Sequence, residues 1–137
     1  MQDQRVARFE QEVIDHVWQL GSAVVGAAGN NNSGLAHYPS AYRHVLSVAN
    51  VSNFDVRNTT SNHGPTVDVS APGTNIYSTI PGGYGLMTGT SMSSRKCLRR
   101  MFALRSAPPF FSGSGVTSTR GCLRRSSVLL SFLSRPA

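Results

Sequence analysis

The stretch Ser22-Ala23-Val24-Val25-Gly26-Ala27-Ala28 is small and apolar after its first residue, with neither a period of two nor one of 3.6. A strand with no polar face has to be covered on both sides. The sheets that provide this are the parallel ones of α/β domains, where helices form the flanking layers. The residues before it fit that order. Over residues 6–20, Phe9, Val13, Val17 and Leu20 recur at helical spacing among Glu10, Glu12 and Asp15, which predicts an amphipathic helix with that apolar seam. Gly21 is a natural helix stop. The sequence therefore predicts a helix, a short turn and a central strand buried on both faces.

Residues 29–34, Gly-Asn-Asn-Asn-Ser-Gly, form a loop by composition. A second apolar strand is predicted over Val45–Val51, a third extended piece over 67–73 ending in Ala71-Pro72-Gly73, and a fourth over Ile76–Ile80. Pro81-Gly82-Gly83-Tyr84-Gly85 reads as a glycine-rich turn, followed by residues 86–94. There are no internal repeats, and 137 residues suffice for one modest domain.

The net charge of +7 points to a nucleic-acid or membrane-surface partner only until its distribution is considered. Up to Ser94 six acidic residues outnumber four basic ones, a net of −2; from Arg95 onward nine basic residues meet no acidic one. The two stretches differ in kind. Residues 95–137 are rich in arginine, serine and leucine, are interrupted by Pro108-Pro109 and keep no apolar period, so the expectation is a disordered or poorly packed basic tail. Both cysteines, Cys97 and Cys122, fall in it and say nothing about the redox compartment of residues 1–94. No apolar run is long enough to span a bilayer, and the polar amino terminus carries no signal-peptide core.

Four landmarks occur in order: Ala27-Ala28-Gly29-Asn30, Tyr38-Pro39, Ala71-Pro72-Gly73 and Gly89-Thr90-Ser91-Met92-Ser93-Ser94. Together they resemble the carboxy-terminal half of the catalytic domain of subtilisin-type serine proteases, with the likeness running over residues 6–94. The resemblance implies a partial doubly wound α/β fold on a parallel sheet. It makes Ser91 the nucleophile, at the entrance to a helix whose amino terminus carries partial positive charge where the oxyanion develops. A serine after Gly-Thr, taken alone, would be a helix cap. Asn30 resembles the oxyanion-hole asparagine; taken alone it would be a loop residue in an Asx turn, the role that suits Asn31 and Asn32. Ala27, Ala28 and Gly29 would form one wall of the primary specificity pocket, and His37 lies where the family sets that pocket's depth, although a solvated loop histidine reads equally well there. Tyr38-Pro39 matches a pair that is cis in the family.

A serine nucleophile needs a base, and the family's His-Gly-Thr type motif has no counterpart here. His63-Gly64 imitates it but falls where the family has a surface turn; His16 and His44 match less well still. No Asp-Ser/Thr-Gly occurs to supply the orienting aspartate, and Asp68 occupies a place where the family has a structural one. Where Pro-His-Val-Ala-Gly or a relative should follow the nucleophile, the sequence reads Arg95-Lys96-Cys97-Leu98-Arg99-Arg100-Met101. A one-base deletion in codons for Pro-Gln-Met-Ser-Ala-Ala-Tyr would generate such a switch.

These readings lead to a fragment of a serine endopeptidase, inactive alone, whose intact form cleaves peptide bonds through an acyl-enzyme on Ser91. The division falls at 1–94, a partial peptidase domain, and 95–137, a basic tail outside the family. The expected partner is a protein or peptide substrate, with no specific nucleic acid and no membrane; the parent protein would be secreted. No cofactor is expected; calcium supports the intact family fold, but no ligand cluster is assignable. The competing readings are a nucleic-acid-binding protein contacting phosphates through residues 95–135, and a peptide-binding protein without chemistry.

Overall fold

A computed structural model describes residues 2–105. Helix α1 (Gln2–Gln19) leads into the parallel strands β1 (Val24–Ala27), β2 (Val45–Val51) and β3 (Val69–Pro72). The antiparallel pair β4 (Ile76–Ile80) and β5 (Gly83–Met87) follows, then helix α2 (Thr90–Arg105).

Helix α1 ends as its sequence requires. Gly21, at φ +78°, donates to Trp18 O at 2.9 Å and Ser22 N donates to Val17 O at 3.2 Å, the paired bonds of a left-handed glycine cap. The face that packs is not the expected seam. Ile14 is buried and Val17 and Trp18 are half-buried, whereas Phe9, Val13 and Leu20 are exposed. The helix carries two apolar stripes, and residues 14, 17 and 18 turn inward.

The three-stranded sheet has the order β1-β2-β3, with Val25 level with Leu46 and Val48 level with Val69. β2 is therefore the central strand and is buried at all seven positions, its two polar side chains, Ser47 and Asn50, included. β1, expected to be central, is an edge strand and only half-buried throughout. Its apolar run reads like that of β2, but strand order is set by pairing partners distant in sequence.

Helix α2 covers one sheet face. Leu46, Val48, Val69, Ala71, Cys97 and Met101 form the core cluster, with Val25 packed against it. Ser93, Cys97 and Met101 recur at every fourth residue and are all buried, so they make the inward stripe. This corrects the expectation that packing ceases at Arg95: residues 95–105 continue the helix, with Arg95, Lys96, Leu98, Arg99 and Arg100 on its exposed side. Consequently Leu46 and Val48 have no exposed surface, while Val24 and Val25 are half-buried. The rest of the basic tail lies outside the described residues.

β5 begins inside the segment that reads as a turn. The turn itself is short: Pro81-Gly82 links Ile80 to Gly83, with Gly82 at φ +83°, the proline-then-glycine order of a type II turn. Glycines at 83 and 85 hide a strand because they supply no side chain to pack.

Candidate active site

Parallel strands deliver their loops to one end of a sheet, and β1, β2 and β3 all end on the side where α2 begins. Gly89 sets the entrance to α2. Its N–H donates to Gly73 O at 3.0 Å, and its carbonyl accepts from Met92 N and Ser93 N, which closes the first helical turn. Gly73 has to be glycine because a Cβ there would overlap Ser93 Oγ and lie 2.6 Å from Gly89 O.

The loop after β1 is fastened to that helix start. Thr90, fully buried, donates from N to Asn30 Oδ1 at 3.0 Å and from Oγ1 to the same oxygen at 3.2 Å, while its Oγ1 accepts from Gly29 N at 3.2 Å. With Oδ1 doubly engaged, the Asn30 side chain keeps its Nδ2 donor free of partners among the described residues. Ser91, the next residue, is exposed, and its N–H is one of the first-turn amides that a helix leaves without an internal acceptor. Asn30 and Ser91, expected to share a site, thus lie one residue apart across the Asn30–Thr90 bonds.

Gly29 is held at φ +101°, and a Cβ on it would stand 2.5 Å from Asn62 Nδ2 and 3.0 Å from His37 Cγ. His37 is half-buried and packs directly on this glycine. Ala27 is half-buried at the end of β1, and Ala28 is buried with its N–H on Val48 O at 3.0 Å. Tyr38–Pro39 is cis, as expected, and Ser40 Oγ donates to His37 O across it at 2.6 Å.

The histidines stand elsewhere. His63 is exposed; its backbone N–H reaches Ser33 O at 3.0 Å, and its ring lies over Gly34. His44 forms a pair that the sequence did not disclose: its Nδ1 lies 3.0 Å from Asp15 Oδ1, and its ring stacks on Trp18 with centroids 5.0 Å apart. This aspartate–histidine couple precedes β2, at the opposite end of the sheet from Ser91. With β2 rising about 3.3 Å per residue over its seven residues, the separation is on the order of 20 Å, far beyond proton-transfer distance. Burial raises the Asp15 pKa, but hydrogen bonds from His44 and Gln11 and the charge of Arg43 outweigh it, leaving the carboxyl below its ordinary value. Asp68 accepts from Ser47 N at 2.8 Å and ties β2 to the residue just before β3. Among the described residues no histidine bonds to Ser91, and no group of three His, Cys, Asp or Glu side chains is placed to hold a metal ion.

A depression of about 260 Å³ on the sheet face away from α2, lined by Ala49, Val51, His63 and Val67 among others, contains neither Ser91 nor Asn30. The candidate site is instead the exposed ledge where residues 29–30 meet 89–91.

The family model for subtilases matches residues 2–96. The chain belongs to the subtilase family. Subtilases are serine endopeptidases. A thermophilic serine proteinase of Bacillus sp. (strain AK1) is 45% identical over 85 residues, which cover 61% of this chain and 21% of that protein. Thermitase of Thermoactinomyces vulgaris is 40% identical over 85 residues, 61% of this chain and 30% of thermitase. An extracellular basic protease of Dichelobacter nodosus is 41% identical over 93 residues, 61% of this chain and 15% of that protein. Among solved structures, the protease domain of PatA superposes with a TM-score of 0.60 at 28% identity, covering 64% of this chain and 33% of that one. The subtilase chain therefore spans about a third or less of the proteins it resembles.

Proposed function

We propose that this chain is the nucleophile-bearing portion of a subtilisin-like serine endopeptidase domain. In that reading Ser91 Oγ attacks the scissile carbonyl carbon, and the oxygen, gaining charge, is held by Asn30 Nδ2 and the Ser91 N–H at the positive end of α2. Ala27, Ala28, Gly29 and His37 line the place for the substrate side chain, with His37 making it short and polar. The observation that carries the reading is the double engagement of Asn30 Oδ1 by Thr90 at 3.0 and 3.2 Å, which fixes the carboxamide with its one donor group, Nδ2, unpartnered among the described residues and beside Ser91.

The 137-residue chain alone is inactive in this reading, because among the described residues Ser91 has no partner to accept its proton. The parent protein is secreted, as the name of its Dichelobacter nodosus relative suggests, and its substrates are proteins or peptides.

The test is a graft. Replacing the matched 85-residue segment of thermitase by the corresponding residues of this chain supplies the missing part of the domain. The chimera should hydrolyse a peptide substrate and lose that activity with Ser91→Ala, whereas the isolated chain should hydrolyse none. A folded chimera without activity, or one indifferent to Ser91→Ala, would overturn the assignment.

A further inference from the structure

The loop that carries Asn30 is held from a second side, by residues 57–63. Asn32 N donates to Thr60 O at 2.8 Å, His63 N donates to Ser33 O at 3.0 Å, and Arg57 donates to Asn32 Oδ1 at 2.9 Å and to Ser61 O at 2.8 Å. At the centre is Asn62, buried at 3% exposure. Its backbone N–H donates to Gly29 O at 2.9 Å, and its side-chain Oδ1 accepts from Asn31 N at 2.9 Å and Ser33 N at 3.1 Å.

Asn62 therefore holds the backbone on both sides of Asn30, the carbonyl before it and the amide after it. The carbonyl is held by the Asn62 backbone N–H and the amides after Asn30 by its side-chain Oδ1, so only the latter bonds depend on the side chain. Thr90 fixes the tip of the Asn30 carboxamide, but a tip hydrogen bond positions a donor only if the backbone beneath it is stationary. The half-buried bonds to Oδ1 carry that constraint, since they give Asn31 N–H and Ser33 N–H their acceptor.

We propose that Asn62 is a positioning residue for the candidate oxyanion donor: by holding Gly29 O, Asn31 N and Ser33 N it keeps the Asn30 carboxamide on Thr90. It touches no reacting atom and acts only through Asn30. The inference rests on the reading of Asn30 given above for what the position is used for, but the positioning itself is tested without activity.

The experiment is solution NMR on the full 137-residue chain, comparing Asn62→Ala and Asn62→Asp with the unaltered protein. The through-hydrogen-bond coupling between Thr90 backbone nitrogen and the Asn30 side-chain carbonyl carbon reports the bond that defines the site. Asn62→Ala should abolish that coupling and speed amide exchange at Asn31 and Ser33 roughly tenfold, the scale of one net hydrogen bond, while β2 amides stay protected. Asn62→Asp keeps an acceptor oxygen and should retain the coupling. A coupling that survives Asn62→Ala in a folded chain, or is lost in Asn62→Asp, overturns the proposal. If the alanine variant does not fold, the aspartate variant decides. Retained coupling in the unaltered chain together with an inactive thermitase graft would sink the oxyanion reading and leave the positioning standing.

Discussion

Replacing Met101 by alanine asks whether the basic stretch after the nucleophile motif packs as a real helix. Met101 is 9% exposed and belongs to the cluster of Leu46, Val48, Val69, Ala71 and Cys97, so truncation removes buried methylenes and the sulfur and leaves a void against the sheet. Burying such a side chain is worth about 1.5–3 kcal/mol, and methionine-to-alanine changes in cores cost about 2–5 kcal/mol once the cavity is included. Met101 lies in the later part of α2, where neighbours can relax inward, so the expected loss is in the lower half of that range, about 2–3 kcal/mol. With a urea m-value of about 2 kcal/mol/M, the unfolding midpoint should fall by about 1–1.5 M. Arg99→Ala, on the exposed side of the same helix, is the control and should stay within about 0.5 kcal/mol. If Met101→Ala shifted the midpoint no more than Arg99→Ala, helix α2 would not cover the sheet, and the core as described would be wrong.

Two further consequences follow from the geometry around α1 and α2. Gly73→Ala should lower the melting temperature by several degrees, because its Cβ would meet Ser93 Oγ and the Gly89 carbonyl, and backbone cannot yield cheaply, a cost of about 1–3 kcal/mol; an unchanged melting temperature would refute the close approach. The Asp15 carboxyl has a depressed folded-state pKa, so its contribution to stability is present above its unfolded value, near 3.9, and is lost as pH falls through the folded value. Acid titration of unfolding should therefore show a shallower loss of stability below about pH 4 in Asp15→Asn than in the unaltered chain; parallel curves would contradict it.

What could be read from the sequence divides along a physical line. β2 was legible residue for residue because valine, leucine and alanine fill five of its seven positions, with only Ser47 and Asn50 between them, a composition that suits a strand buried on both faces. The glycine stop at Gly21 and the cis Tyr38–Pro39 bond were legible because each depends on local backbone chemistry. Features set by distant partners were not. β1 has the sequence of a central strand yet sits at an edge, and α1 buries Ile14 instead of Phe9 and Val13, since neighbouring elements choose the face. Helix α2 beyond Ser94 was obscured because five exposed residues, four of them cationic, surround the stripe of Ser93, Cys97 and Met101. At the candidate site, Ser91 and Asn30 were recognisable through the motifs around them, while the contributions of Thr90 and Asn62 consist of hydrogen bonds 29–61 residues apart in sequence. The Gly-Thr-Ser motif contained the one available hint, a small hydroxyl side chain directly before the nucleophile candidate.

Fluorophosphonate labelling of the thermitase graft, followed by peptide mass mapping, tests whether Ser91 and Asn30 form one reactive site. The adduct should form at Ser91. The labelling rate should fall about a hundred- to a thousandfold in Asn30→Leu, the loss known for subtilisin itself when its oxyanion-hole asparagine is removed. Labelling at another residue of the graft, or an unchanged rate in Asn30→Leu, would contradict the claim.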